Sequence, residues 1–314
     1  MTTRLMIFGV LGLVLAALFL LPYGVSYFYI FVATEILIMG LFAASFNLVF
    51  GYTGMLSFGH AAFFGMGAYT TAMLLLHLQV PLVWALLAAM LTSMLLAAVI
   101  GFFCVRLNEV YFAMLTLAFG MMVFAVAHQW RSVTNGSDGI TGFPLTEFGL
   151  GLDVQLANPL VYYYVVLVVV VLAAALLYLI TRSPFGLILK AISENPERVA
   201  FCGLNERRFR LIAFIVAGLF AGLAGGLFAP FNRVASPDMI HWSQSAEAVL
   251  MTILGGSAYF LGPFFGAMVF VLLETWITSY TDHWMLFLGI ILALMVMFFR
   301  RGILGTVLDR VLRR

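Results

Sequence analysis

The chain has 314 residues, of which 64% are hydrophobic and 9% are charged, with a formal net charge of +2. Soluble domains hold about 45–50% apolar and about 25% charged residues, so this composition excludes a soluble protein. The net charge of +2 is explained by membrane topology and does not indicate nucleic-acid binding. The apolar residues come in continuous blocks rather than ten-residue alternations, which favours membrane-spanning helices over an outer-membrane barrel. The sequence therefore predicts an all-α, polytopic membrane protein.

The apolar segments predict a helical bundle of roughly 8 to 10 transmembrane or broken segments. We assign them to a single transmembrane domain, residues 1–314. No charged residue occurs between positions 36 and 105, a run that holds roughly three spans at about 20 residues each. In chain order the predicted segments cover residues 5–21, 27–48, 52–76, 83–105, 111–128, 160–180, 211–230, 245–258, 262–280 and 284–299.

The stretch GYTGMLSFGHAAFFGMGAY, residues 51–69, is poorly suited to a continuous helix. Glycine costs about 1 kcal/mol in a helix relative to alanine, and lipid penalises every unsatisfied backbone group. We therefore expect local unwinding between Gly54 and Gly59, enclosed by protein, with close helix packing as the alternative use of the glycines. Freed backbone groups there would line a translocation path with Ser57 and His60. Taken alone, His60 is expected to be a hydrogen-bonded structural histidine rather than a proton carrier.

A second glycine-broken stretch, LGGSAYFLGPFFGA, covers residues 254–267. In many transporters a pair of interrupted hydrophobic segments, one in each half, marks the transport path. The two stretches share too little identity to establish a repeat, so internal duplication and two unrelated breaks both stay open. The residues assigned to the path or its broken helices are Gly54, Ser57, Gly59, His60, Gly255, Gly256, Gly262 and Pro263.

A third group of glycines predicts helix packing. Gly218, Gly222 and Gly226 recur at four-residue intervals, which places them on one face of one helix. Small residues at this spacing let two membrane helices approach closely. The partner helix can belong to this chain or to another subunit.

Motifs for catalysis and for nucleotide or metal binding are missing from the sequence. The only lysine, Lys190, is not part of a GxxxxGK[ST] phosphate loop, and no HExxH, GxSxG or Rossmann glycine pattern occurs. We expect a non-enzymatic protein without a cofactor or metal of its own. Active transport would then draw on another chain or on an ion gradient, and for the latter the acids Glu35 and Glu274, in or near spans, are the candidates.

The basic residues predict the orientation, because cytoplasmic loops carry the excess of Lys and Arg. With the N-terminus in the cytoplasm and ten alternating segments, every basic residue except Arg131 and Arg233 lies on the cytoplasmic side. Both termini are then cytoplasmic, as are the loop at residues 181–210 and a basic tail at residues 300–314.

The inner loop is predicted to contain two short helices. Ser183-Pro184 is typical of a helix start, and a second helix is expected to begin near Asn195-Pro196 and stop at Gly203. The first helix carries an apolar stripe, which we assign to Leu187, Ile188, Ala191 and Ile192.

Four stretches of the chain, NLVFGYTGMLSFGHAAFFGMGAYTTAML, TNGSDGITG, SPFGLILKAISENPERVAFCGLN and ILGGSAYFLGPFFGA, resemble the LivM-type permeases of branched-chain amino acid ABC transporters. The resemblance implies a bacterial inner-membrane importer subunit. Its partners would be a homologous second permease, two cytoplasmic subunits that use ATP, and a periplasmic substrate-binding protein. The inner loop would then couple to an ATPase, with the contact residues Glu194, Glu197, Arg198, Ala200 and Gly203.

Several alternatives stay open at this point. Urea, short amides or other small nitrogen compounds are candidate substrates besides branched-chain amino acids, because permeases for such solutes look similar. The partner permease is either a different chain or a second copy. A self-contained, ion-coupled secondary transporter is the alternative from another class, and it would transport without partners.

Overall fold

The computed structural model describes residues 16–22, 24–145, 148–149, 156–280, 286–287, 289–291, 293, 297 and 302–306. Over these residues the chain is almost entirely helical, as the composition predicted. One short antiparallel pair joins β1 (Ile140–Thr141) to β2 (Val234–Ala235), with Ile140 opposite Ala235. Most of the predicted segments 5–21 and 284–299 lies outside the described residues.

The described helices match the predicted apolar segments closely, although α1 extends to Thr53 instead of ending at residue 48. Within the described residues, six helices are long and apolar enough to cross a membrane: α1, α2 with its π-helical extension Leu74–Leu78, α3, α4, α6 and α9. In chain order the helices are α1 (Tyr27–Thr53), α2 (His60–Met73), α3 (Leu82–Cys104), α4 (Glu109–Gln129), α5 (Arg131–Thr134), α6 (Pro159–Arg182), α7 (Pro184–Glu194), α8 (Pro196–Phe201), α9 (Glu206–Asn232), α10 (Trp242–Gly255) and α11 (Gly262–Thr278).

Local capping signals set many of these helix ends. The side chains of Asn158, Asn195 and Asn205 each accept a hydrogen bond from a backbone N–H in the first turn of α6, α8 and α9. Proline occupies the first position of α7, as predicted at Pro184, where its missing N–H costs nothing. Gly54 ends α1 in the left-handed conformation, at a φ of 77°.

Helix α9 lies at the centre of the bundle and packs against α1, α2 and α3. A methyl group added at Gly218 would meet the Ala97 side chain, and one at Gly222 would meet the Ser93 side chain, both on α3. One at Gly226 would lie 2.9 Å from the Thr71 hydroxyl of α2. These glycines therefore allow α9 to approach its neighbours within this chain.

Helices α10 and α11 form a tight hairpin that packs against α1. Glycines lie where the two helices contact each other. Methyl groups at Gly255, Gly262 and Gly266 would each meet a backbone carbonyl of the other helix or of the turn. The Thr252 hydroxyl donates to the Ala43 carbonyl of α1 at 3.3 Å. The second predicted interruption is thus a full reversal of the chain between two short helices.

The outer faces of α3, α4 and α6 are apolar. Leu91, Met114 and Leu172 are each more than half exposed, and they represent many similar side chains on the same three helices. An apolar surface of this extent is not found on soluble monomers, and acyl chains would cover it in a bilayer. These faces identify the chain as a multi-pass membrane protein.

Candidate functional site

The first interruption lies between α1 and α2, where residues 54–59 are not helical. Met55 and Ser57 are buried there, at 1% and 0% exposure, as lipid requires of irregular backbone. The unwinding predicted between Gly54 and Gly59 is therefore present, and helix α2 begins inside the protein at His60.

Two hydroxyl groups from distant helices cap the start of α2. Its N-cap is Gly59, which has no side chain to accept hydrogen bonds from the first turn. Instead, the Thr116 hydroxyl of α4 accepts from the Phe58 N–H at 3.3 Å, and the Ser245 hydroxyl of α10 accepts from the Ala61 N–H at 2.8 Å. The break is thereby tied to both α4 and α10.

Ser245→Ala is expected to destabilise the folded chain by roughly 1–3 kcal/mol, because the buried Ala61 N–H would lose its acceptor. Thermal unfolding of the purified protein in mild detergent measures this loss. Ser243→Ala is the matched control, since that hydroxyl is exposed in the first turn of the same helix and bonds only to the side chain of His241. An equal melting temperature for both variants would contradict the cap.

His60 is a fully buried, hydrogen-bonded side chain within a set of aromatic rings. Its ring centroid lies 5.5 Å from those of Phe42 and Phe46 and 5.7 Å from that of Phe63. The Ser45 hydroxyl gives its single proton to the Phe42 carbonyl at 2.6 Å, so it accepts the 3.0 Å bond from the His60 Nε2–H. The His60 Nδ1 atom therefore carries a lone pair, and it has no hydrogen-bond partner.

Gly59 is needed for contact rather than for backbone conformation, because its φ of −99° suits any residue. A methyl group there would meet the Thr116 carbonyl of α4. On the same helix, a methyl group at Gly120 would approach the Gly59 Cα at 3.0 Å. Helix α4 thus forms one wall of the first interruption.

The second interruption, residues 256–261, lies near the Thr53 end of α1. A methyl group at Gly51 would meet the Ser257 carbonyl, and one at Gly302 would meet the backbone of Gly256. Pro263 is in the first turn of α11, where proline is compatible with a helix. Helix α10 joins the two interruptions, since Ser245 caps α2 and Gly255 ends the helix.

Helix α7 packs against α1 and α6, and its buried residues are Gly186, Leu189 and Ile192. The predicted stripe is wrong at Leu187 and Ala191, because Leu187 is 65% exposed and Ala191 is also exposed. The orientation of α7 against the ends of α1 and α6 buries residues at i, i+3 and i+6. Apolar residues that are adjacent in the sequence do not show which of them faces these helices.

The opposite side of α7 and α8 is an exposed surface, which we call the docking surface. Its one large hydrophobic side chain, that of Phe201, is 90% exposed. Phe201 was not among the predicted contact residues, because a phenylalanine in a short helix resembles a core residue; the only signal was its position in a loop that is rich in charged residues. The docking surface consists of Glu194, Glu197, Arg198, Ala200, Phe201 and Gly203, all of them exposed.

Helix α7 also contacts the start of the first interruption. The Lys190 ammonium lies 5.2 Å from the centre of the Tyr52 ring, at the end of α1. A methyl group at Gly54 would lie 3.6 Å from the Ser193 Cβ. The docking surface and the first interruption are therefore joined through one short helix.

Three carboxylates interact where α1, α10 and α11 meet. Glu35, Glu247 and Glu274 influence one another electrostatically, and the Gln244 amide donates to Glu247 at 2.7 Å. In the part of the chain that the structure describes, no lysine or arginine forms an ion pair with them. Glu247 was missed in the sequence analysis, because it lies in a segment too short for a confident span.

A family model described as "Branched-chain amino acid transport system / permease component" matches residues 28–298. The chain belongs to this family. It is similar to the high-affinity branched-chain amino acid transport system permease protein LivM of Escherichia coli K12, with 29% identity over 96% of this chain and 76% of that protein. The corresponding LivH protein of the same organism is 24% identical over 84% of this chain and 90% of its own length.

A shorter match is to a permease protein named for a different solute. The guanosine ABC transporter permease protein NupQ of Bacillus subtilis 168 is 27% identical over 30% of this chain and 29% of its own length. No solved structure matches the chain. Its relatives are thus permease subunits of transporters, and the resemblance predicted from the sequence is confirmed.

Proposed function

We propose that this chain is one of two permease subunits of an ABC importer for branched-chain or closely related amino acids. The docking surface is the observation that carries the proposal beyond the family match. An exposed aromatic side chain, Phe201, stands among the exposed charges of Glu194, Glu197 and Arg198. Aromatic residues and arginine are enriched at protein–protein contacts, so Phe201 and Arg198 are the side chains that support this role.

The proposed partners are two cytoplasmic ATP-binding subunits, a homologous permease and a periplasmic binding protein. The similarity to both LivM and LivH, two different permease proteins of one organism, supports pairing with a second, distinct chain. ATP would be used only by the partner subunits, since the sequence has no phosphate-binding loop.

The proposed orientation places the docking surface in the cytoplasm. The loop of residues 181–210 carries six basic residues, and the positive-inside rule assigns such a loop to that side of a bacterial inner membrane. Residues 300–314 would form a cytoplasmic basic tail, and both termini would be cytoplasmic. The whole chain, residues 1–314, would act as a single permease domain.

The mechanism follows the contacts outward from the docking surface. The binding protein would deliver an amino acid to the outer side, and ATP binding would close the ATPase pair beneath α7 and α8. The contacts of α7 with Tyr52 and Gly54 would pass this movement to the first interruption. Rearrangement of the two interruptions would then open the path to the cytoplasm.

Purification of the tagged chain from mild detergent, followed by reconstitution with its co-purifying subunits, tests the proposal. We expect two ATPase subunits and a second permease to co-purify, and binding protein to stimulate ATP hydrolysis and leucine uptake into proteoliposomes. Guanosine and urea are the comparison solutes. Ion-driven uptake by the isolated chain would contradict the proposal, as would stimulation by one of the comparison solutes instead of leucine.

A further inference from the structure

The start of α2 contains an unusual concentration of buried polar groups without partners. Ser57 and His60 have no exposed surface, and Gly59 is buried. The Ser57 hydroxyl and the His60 Nδ1 atom have no hydrogen-bond partner. We call these three residues the orphan cluster.

The backbone adds three donors to the same cluster. The N–H groups of Ser57, Gly59 and His60 have no acceptor among the residues that the structure describes, whereas the N–H groups of Phe58 and Ala61 are both paired. More than nine in ten buried backbone groups in proteins are paired. Five unpaired groups within four residues therefore indicate that something else occupies this place at some stage of the protein's work.

The electrostatics of the cluster favour an anionic group. The cluster lies at the N-terminus of α2, a 14-residue helix whose dipole places partial positive charge there. Neither Lys nor Arg occurs from residue 36 to residue 105, so this segment itself would stabilise an anion through backbone N–H groups and the helix dipole. Carboxylates and phosphates bind such helix ends without a basic side chain.

The chemistry of the five groups is that of an α-amino acid. The three backbone N–H groups and the Ser57 hydroxyl are donors, and they suit a carboxylate. The lone pair on His60 Nδ1 is an acceptor, and it suits an ammonium group. A zwitterionic amino acid carries a carboxylate and an ammonium group on one carbon atom, so it could bind to the donors and to the acceptor at the same time.

We propose that the orphan cluster binds the α-carboxylate of the amino acid during translocation, with His60 Nδ1 accepting from its ammonium group. This inference rests on the proposed function and specifies the site at which the substrate is held. In this conformation α4 and α10 enclose the cluster, because Thr116 and Ser245 accept hydrogen bonds from the adjacent N–H groups of Phe58 and Ala61. Separation of either helix from α2 would expose the donors.

Transport by the assembled complex gives the first test. Ser57→Ala is expected to lower leucine uptake by about tenfold to a hundredfold, the range for one hydrogen bond to a charged group, while ATP hydrolysis stimulated by binding protein persists. Thr70→Ala is the control, because it removes a hydroxyl from the same helix away from the cluster, and Thr92 keeps its bond to Ala89. Uptake within about twofold of wild type in Ser57→Ala would overturn the proposal, since so small a change is below the value of one such bond.

A distance measurement on the wild-type complex gives a second test that needs no mutation at Ser57. The complex is trapped with vanadate and L-[1-¹³C]leucine, with its histidines labelled with ¹⁵N. Solid-state NMR recoupling is expected to place the carboxyl carbon within about 4 Å of one histidine amide nitrogen, as a hydrogen bond requires. His60→Gln should remove this contact, and the other four of the chain's five histidines serve as internal controls.

The outcomes separate this inference from the proposed function. Absence of ATPase subunits and of leucine uptake would defeat the proposed function itself. Normal coupling and uptake without a leucine–histidine contact, or with a contact that persists in His60→Gln, would defeat only the orphan-cluster proposal.

Discussion

Gly225→Ala is expected to destabilise the folded chain by about 3 kcal/mol, the upper end of the cost of overpacking. The added methyl group would meet the backbone carbonyl of Phe64, at the crossing of α9 and α2. The crossing is tight from both sides, since a methyl group at Gly67 would meet the backbone carbonyl of Gly222. No side-chain rotation relieves a clash with backbone, so the two helices would have to separate.

Thermal unfolding in detergent and the yield of monodisperse protein from membranes measure this effect. Gly24→Ala is the matched control, because a methyl group there has no neighbour within 4 Å. We expect the control to unfold at the wild-type temperature. Equal stability of the two variants would mean that α2 and α9 do not cross as closely as described.

Phe201→Asp and Arg198→Glu are each expected to release the ATPase subunits and abolish leucine uptake without lowering the thermal stability of the chain. Both side chains are exposed, Phe201 by 90%, so neither change affects the folded core. Truncation of a hot-spot residue at the centre of an interface costs about 2 kcal/mol or more, which is roughly thirtyfold in affinity. Placing a carboxylate in an apolar contact, or reversing a charge, costs at least as much.

Co-purification from detergent, followed by quantitation of the ATPase subunits, measures the release. Arg131→Glu is the control, because it reverses a charge that the proposed topology assigns to the opposite side of the membrane. This variant is expected to retain its ATPase subunits. If Phe201→Asp retains them as well, the docking surface is not the ATPase contact.

Signals that act over a few residues made much of the fold predictable. Glycine and proline indicated the interruption after Gly54 and the start of α7 at Pro184, because both residues constrain the backbone wherever they occur. Continuous apolar blocks indicated the spans, because a run of about 20 apolar residues is long enough to cross the bilayer on its own. Orientation was predicted from Lys and Arg, and it stays a prediction.

The remaining features depend on contacts between distant parts of the chain. Ser245 is 184 positions from Ala61, and a serine within an apolar segment gives no indication of which amide it will cap. The four-residue spacing of glycines revealed the face of α9 directed at α3, yet it missed Gly225, which contacts α2. Rotation of α7 was equally hidden, since the ends of α1 and α6 decide which of its apolar residues are buried.

Helix α7 contacts α1 at one end, so a small tilt of α1 about that contact gives a large displacement of its other end. Helix α1 has 27 residues without an internal break, which makes it about 40 Å long at 1.5 Å per residue. If α1 pivots as a rigid rod at its contact with Lys190, a tilt of about 5° displaces its far end by about 3.5 Å, more than the length of a hydrogen bond. A sub-ångström displacement in the last turn of α1, beside the pivot, would thus accompany a rearrangement of contacts at the opposite membrane surface.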